Sequence, residues 1–138
     1  MAEALILDSE ALNALARPGA RGVLAERARA ILQVAHERGA LVRVPAPVLA
    51  EVCRGSRFDG AVERLLDDRG IAVCTLTRSI AQRASGLLAK AKLSSAHAVD
   101  AFVVAAALDF DAAVIATGDP GDIRRLSTAH KQIRLLPV

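Results

Sequence analysis

Aromatic residues are almost missing from this chain of 138 residues, which contains three Phe and neither Trp nor Tyr. Binding of single-stranded nucleic acid by base stacking needs exposed aromatic rings, so that mode of binding is nearly excluded. Hydrophobic residues nevertheless make up 53% of the sequence, which is too many for a disordered chain. We therefore expect an aliphatic core, and the length fits one domain over residues 1–138.

Cysteine is also scarce, and no apolar run is long enough to cross a membrane. The two cysteines, Cys53 and Cys74, show no CxxC spacing and lie among apolar neighbours, so we expect buried, reduced thiols. The longest apolar run covers residues 101–108, far short of the about 20 residues that span a bilayer. The first residues show no secretory signal. These features predict a cytoplasmic protein without membrane association.

The charge balance is mildly basic, and the cations are mostly arginine. The chain has 18 basic and 15 acidic residues, for a formal net charge of +3. Arginine binds phosphate through paired hydrogen bonds, so this composition is compatible with a phosphate-bearing partner. An ordinary solvated surface explains the same composition.

Short apolar segments alternate with amphipathic segments along the chain. This alternation predicts a single α/β domain, an α/β/α sandwich around a central parallel sheet of four to five strands. Ser9 is able to cap the first helix. The predicted strands cover residues 4–7, 41–44, 71–76, 113–116 and 132–136. The predicted helices cover residues 9–16, 23–38, 47–55, 58–68, 77–90 and 96–108, and a short last helix follows residues 117–122 and ends at residue 126.

Acidic residues follow the strands of this predicted sheet. Asp8 comes directly after the first strand, Asp119 follows the fourth strand, and Glu51 lies in the helix after the second strand. Because the carboxyl ends of parallel strands meet at one edge of a sheet, we expect these carboxylates to meet there. Each has a plainer interpretation, since Asp8 can cap a helix, Glu51 can face solvent and Asp119 can form a turn.

Asp100 is the least expected charge in the sequence. It shares a helical stripe with Val103, Val104 and Ala107, and no Lys or Arg lies within four residues of it. A buried charge is costly unless it is paired or bound to a metal, although an early-turn Asp is also favoured by the helix dipole. Asp100 therefore needs a distant partner or a metal ion.

Clustered carboxylates without local cations repel one another, and they stay ionised only if a cation joins them. Oxygen ligands favour Mg²⁺ or Mn²⁺ over Zn²⁺. The three histidines, His36, His97 and His130, show no zinc-binding spacing. His97 precedes Asp100 by three residues and could reach the edge of the site, but we interpret it as a helix-start residue.

The order of these residues resembles the PIN-domain nucleases, and among them the VapC-type toxins of bacterial toxin–antitoxin pairs. The resemblance implies that Asp8, Glu51, Asp100 and Asp119 are catalytic and hold Mg²⁺ or Mn²⁺. Ser9, Thr117 and Asp122 match supporting positions, and Ile123 replaces a usual Phe, so both Asp119 and Asp122 remain candidates for the fourth acid. The matching segments are Leu5-Ile6-Leu7-Asp8-Ser9, Val48-Leu49-Ala50-Glu51-Val52, Ala98-Val99-Asp100-Ala101-Phe102, and Ile115-Ala116-Thr117-Gly118-Asp119 with Asp122-Ile123.

This resemblance implies a metal-dependent endoribonuclease toxin with an RNA substrate, a homodimer and a small antitoxin whose tail blocks the acidic pocket. A divalent metal suits phosphodiester hydrolysis, because it polarises the phosphoryl oxygen and activates water. Two alternatives keep the fold: a non-toxin PIN ribonuclease in RNA maturation or decay, and a degenerate scaffold that only binds a partner. A third, a phospho-acceptor binding module, needs an Asp after the third strand, where residues 74–77 contain none.

Overall fold

Five strands alternate with seven α-helices in a computed structural model that describes residues 3–17, 19 and 22–138, with only the backbone of residues 56 and 57. The strands are β1 (Glu3–Leu7), β2 (Leu41–Pro45), β3 (Ala72–Cys74), β4 (Ala112–Thr117) and β5 (Ile133–Pro137). The helices are α1 (Ser9–Ala16), α2 (Val23–Glu37), α3 (Ala46–Val52), α4 (Ser56–Asp68), α5 (Arg78–Ala91), α6 (Ala98–Ala107) and α7 (Pro120–Ser127), and a 3₁₀ turn (Ser95–His97) precedes α6.

All five strands are parallel, in the order β3-β2-β1-β4-β5, which confirms the predicted single α/β domain. Right-handed crossovers place α1 to α4 on one face of such a sheet and α5 to α7 on the other. The contacts agree, because α1 packs against α2, α3 and α4, while α5, α6 and α7 pack against one another. The direction of the crossovers reverses between β1 and β4, so their carboxyl ends form the switch point where α/β proteins bind ligands.

The core is aliphatic, as the sequence predicts, and it surrounds α6. Residues 103–107 of this helix are all buried, so α6 is covered on nearly every side. Its first turn projects to the carboxyl edge of the sheet and carries Asp100. Other fully buried side chains come from both faces: Ile6, Leu12, Leu32, Val44, Ile115 and Ile123. Among the described residues, no helix has both the length and the apolar character needed to cross a bilayer.

The structure decides which residue caps α1 and corrects the predictions for β3 and the two cysteines. Asp8, not Ser9, caps α1, because its Oδ1 accepts the backbone N–H of Ala11 at 2.9 Å. Strand β3 has three residues instead of six, since its partner β2 ends at Pro45, where α3 begins. The two cysteines are free thiols, but both are half-buried instead of buried.

Candidate active site

Asp8 lies at the switch point, directly after β1. It is 5% exposed, and its two carboxylate oxygens accept backbone N–H groups from Ala11 at 2.9 Å and Gly118 at 3.2 Å. Burial raises the pKa of Asp8 above its usual value, and hydrogen bonds from Thr117, Ala11 and Gly118 only partly oppose this rise. The protein therefore fixes the position of this carboxylate but stabilises its negative charge only in part. Such a carboxylate is suited to bind a cation.

The turn after β4 packs closely against the start of α1. Thr117 is fully buried, and its hydroxyl accepts the backbone N–H of Asp119 at 2.9 Å. A Cβ at Gly118 would lie 2.1 Å from Cγ of Glu10, so only glycine fits at this position. This turn places Asp119, which is exposed, at the same edge as Asp8.

Glu51 reaches this edge from α3. Its Oε1 accepts a hydrogen bond from the hydroxyl of Ser9, the residue that follows Asp8. This contact joins the end of β1 to α3, on the same face of the sheet. Ser9 therefore restricts the position of the Glu51 side chain, and its supporting role in the site stays a prediction.

Asp100 shows that the acidic side chains lie close together. This half-buried carboxylate has its pKa raised to about 6, first by burial and then by repulsion from Asp8, Asp119, Asp122 and Glu51. Each of these four groups must lie near Asp100 for its charge to act on it. The structure thus brings all five acids of the sequence analysis to one edge of the sheet.

His97 joins this cluster more closely than its interpretation as a helix-start residue suggested. Its Nδ1 lies 3.3 Å from Oδ2 of Asp122, and His97, Asp100 and Asp122 offer ligand atoms that all lie within 4.8 Å of one another. Asp8, Glu51 and Asp119 are not part of this tight group. The three-residue spacing of His97 and Asp100 was the available signal, since residues three apart share one side of a helix.

This donor set fits a divalent cation. The carboxylate oxygens suit Mg²⁺ or Mn²⁺, and the imidazole nitrogen of His97 adds a ligand that favours a transition metal. Neutral histidine and ionised carboxylates are also the protonation states that a metal ion selects. A divalent cation held by these side chains would place positive charge at the switch point of the sheet.

The fold and the site define an α/β protein with a cluster of acidic side chains at the switch point of a parallel sheet. A model of the PIN domain family matches residues 5–128, which is most of the chain, and the protein therefore belongs to this family. PIN domains are generally nucleases, and the acidic cluster could hold a metal ion. No curated protein sequence matches the chain.

Proposed function

We propose that this protein is a metal-dependent endoribonuclease that hydrolyses phosphodiester bonds in RNA. The observation that carries this proposal is the convergence of His97, Asp100 and Asp122, whose ligand atoms all lie within 4.8 Å of one another. Burial, followed by repulsion from Asp8, Asp119, Asp122 and Glu51, raises the pKa of Asp100 to about 6. Such a cluster is unfavourable at neutral pH unless a cation joins it. Membership of a family of nucleases supports a phosphodiester as the substrate.

In this proposal Asp8, Glu51, Asp100 and Asp119 are the catalytic acids that hold Mg²⁺ or Mn²⁺. The short distances among His97, Asp100 and Asp122 support Asp122 as a ligand beside Asp119, and His97 as an additional nitrogen ligand. When bound, a divalent ion polarises the phosphoryl oxygen and lowers the pKa of the attacking water.

The protein's own contribution is to fix the positions of these ligands before RNA binds. The N–H groups of Ala11 and Gly118 hold both oxygens of Asp8, and Ser9 holds Glu51. Thr117 fixes the turn that carries Asp119 by accepting its backbone N–H. Ligands held in this way lose little freedom when the ion and the substrate bind, which favours catalysis.

We also propose that the chain, over residues 1–138, forms the toxin of a toxin–antitoxin pair of the VapC type. This proposal adds a homodimer, a cytoplasmic location and a small antitoxin that covers the acidic pocket. Its support is the order of four motif segments in the sequence. Growth arrest on expression, relieved by the product of a small adjacent gene, would support the toxin. Normal growth with retained RNA cleavage would favour a non-toxin ribonuclease.

Cleavage of a labelled single-stranded RNA tests the enzymatic proposal directly. We expect cleavage in Mn²⁺ or Mg²⁺, and a loss of at least about 100-fold in Asp100→Asn, because a metal ligand is removed. Asp68→Asn is the matched control, since Asp68 is exposed at the end of α4, on the opposite edge of the sheet. Equal cleavage by the wild type and Asp100→Asn, or cleavage that persists in EDTA, would refute the proposal.

A further inference from the structure

A second charged surface follows α7 away from the acidic site. Two shallow grooves, with volumes of about 220 and 450 Å³, meet at Thr128 and His130. One groove runs between the ends of α5 and α7, and the other runs between α7 and β5. We call their basic side chains the C-terminal basic surface: Lys90, Arg124, Arg125, His130, Lys131 and Arg134.

The positive charges that the C-terminal segment adds to this surface are not offset by acidic residues of the same segment. Residues 123–138 contain four Lys or Arg and no Asp or Glu, so this segment carries +4 while the whole chain carries +3. Among the described residues that line the two grooves, none is Asp or Glu. Among the described residues, only Arg134 of this surface has an ion-pair partner, Glu3 at 3.6 Å. The other Lys and Arg side chains of this surface are exposed to solvent and can contact an anionic partner.

The basic surface begins one helical turn from the acidic site. Arg125 follows Asp122 by three residues in α7, so the two side chains lie on the same side of the helix, one turn apart. One helical turn is about 5.4 Å long. A nucleic-acid strand whose reacting phosphate lies at the acidic site would therefore bring neighbouring phosphates towards Arg124 and Arg125.

We propose that the C-terminal basic surface binds the phosphate backbone of the RNA substrate on one side of the cleaved bond. This inference rests on the proposed endoribonuclease function. Guanidinium groups bind phosphate without reading bases, and the chain has only three aromatic side chains, all Phe, that could stack on bases. The family match ends at residue 128, so His130, Lys131 and Arg134 lie outside the matched region.

Fluorescence anisotropy of a labelled single-stranded RNA, measured in EDTA at several salt concentrations, tests this surface without cleavage. We expect Arg124→Gln/Arg125→Gln to weaken binding by about tenfold and to reduce the slope of log K against log salt by about 1.4, because two phosphate contacts are lost. Thr128 bonds only to the backbone carbonyl of Arg124, so this contact survives the substitution. The matched control is Arg27→Gln/Arg29→Gln, two exposed arginines on α2, across the sheet.

The outcomes separate this surface from the nuclease proposal. Equal affinity and equal salt dependence for the two double variants would overturn the basic surface, even if the wild type cleaves RNA. Selective loss of binding in Arg124→Gln/Arg125→Gln would support it, even if the wild type fails to cleave RNA. If that variant instead lost only its binding to vesicles of anionic lipid, the surface would belong to a membrane and the proposal would be wrong.

Discussion

The two ends of α7 carry opposite charges in different surroundings. Asp119 precedes the helix and Asp122 lies in its first turn, whereas Arg124 and Arg125 occupy its last turn. Both placements agree with the helix dipole, which stabilises each charge by about 0.3–1 kcal/mol. The dipole favours ionised carboxylates at the first end, and yet the pKa of the neighbouring Asp100 is raised to about 6. At Asp100, burial and repulsion from the neighbouring carboxylates therefore outweigh any stabilisation by the dipole.

This difference separates two uses of charge. At the acidic end the carboxylates are crowded and partly buried, and the contacts of Asp8, Ser9 and Thr117 fix their surroundings. At the basic end Arg124 and Arg125 extend into solvent. Changes at the acidic end should alter ion binding and stability, whereas changes at the basic end should alter only the affinity for an anionic partner.

The change in melting temperature on metal binding should show the largest difference between variants at the two ends of α7. We expect Mn²⁺ to raise the melting temperature of the wild type and to have little effect on Asp100→Asn. An ion that binds only the folded state at 100 times its Kd adds about 2.7 kcal/mol of stability. Arg124→Gln/Arg125→Gln should keep the full increase, because it removes charge from the other end. Melting curves of all three proteins, recorded in EDTA and in Mn²⁺, measure these increases in melting temperature.

An equal increase in the wild type and in Asp100→Asn would mean that the ion binds elsewhere. A smaller increase in Arg124→Gln/Arg125→Gln than in the wild type would mean that the two ends are coupled. Either result would contradict the separation of roles along α7.

Much of the acidic end was predictable from the sequence, because strand order and helix spacing determine it. Asp8 and Asp119 follow buried strands, and parallel strands bring their carboxyl ends to one edge. Asp100 stood out as a charge on an apolar stripe. The position of His97 beside Asp122 was not predictable, since it depends on how α6 packs against α7.

Caps and strand lengths were less predictable for local reasons. Both Asp8 and Ser9 carry an oxygen that can accept a helix N–H, and only the backbone position decides which one does. The length of β3 depends on where its partner β2 ends. The net charge of the whole chain, +3, did not indicate the basic surface, because residues elsewhere in the chain offset the +4 of residues 123–138.

Gly118 tests whether the acidic end depends on close packing. Gly118→Ala should destabilise the protein by about 1–3 kcal/mol, the usual cost of overpacking. The added Cβ would lie 2.1 Å from Cγ and 2.5 Å from Cβ of Glu10, so the start of α1 must move. Gly86→Ala is the matched control, because no atom lies within 4 Å of a Cβ at this exposed position in α5. The control should stabilise by about 0.5–1 kcal/mol.

Urea unfolding of both variants gives the two free energies. If Gly118→Ala were neutral or stabilising, the turn after β4 would have room for a side chain. The acidic end would then be no more tightly packed than the basic end.

The pH dependence of the free energy of unfolding should show the smallest difference between variants at the two ends of α7. The pKa of Asp100 in the folded protein, about 6, lies above the ordinary 3.8, so the folded state binds this proton more tightly than the unfolded state. Protonation therefore stabilises the metal-free protein at low pH. This stabilisation is lost as the pH rises from about 4 to above 6.

Asp100→Asn, which resembles the protonated residue, should match the wild type near pH 4 and exceed its stability by about 1 kcal/mol near pH 7.5, after allowance for solvent screening. Urea unfolding in EDTA at both pH values measures the difference, and Asp68→Asn should follow the wild type at each. Arg124→Gln/Arg125→Gln should show the same pH dependence as the wild type, because its charges do not titrate in this range. Suppose instead that the free energy of unfolding differed between Asp100→Asn and the wild type by the same amount at both pH values. Crowding of carboxylates would then not explain the greater stability of Asp100→Asn. The acidic end would then differ from the basic end in the sign of its charge alone.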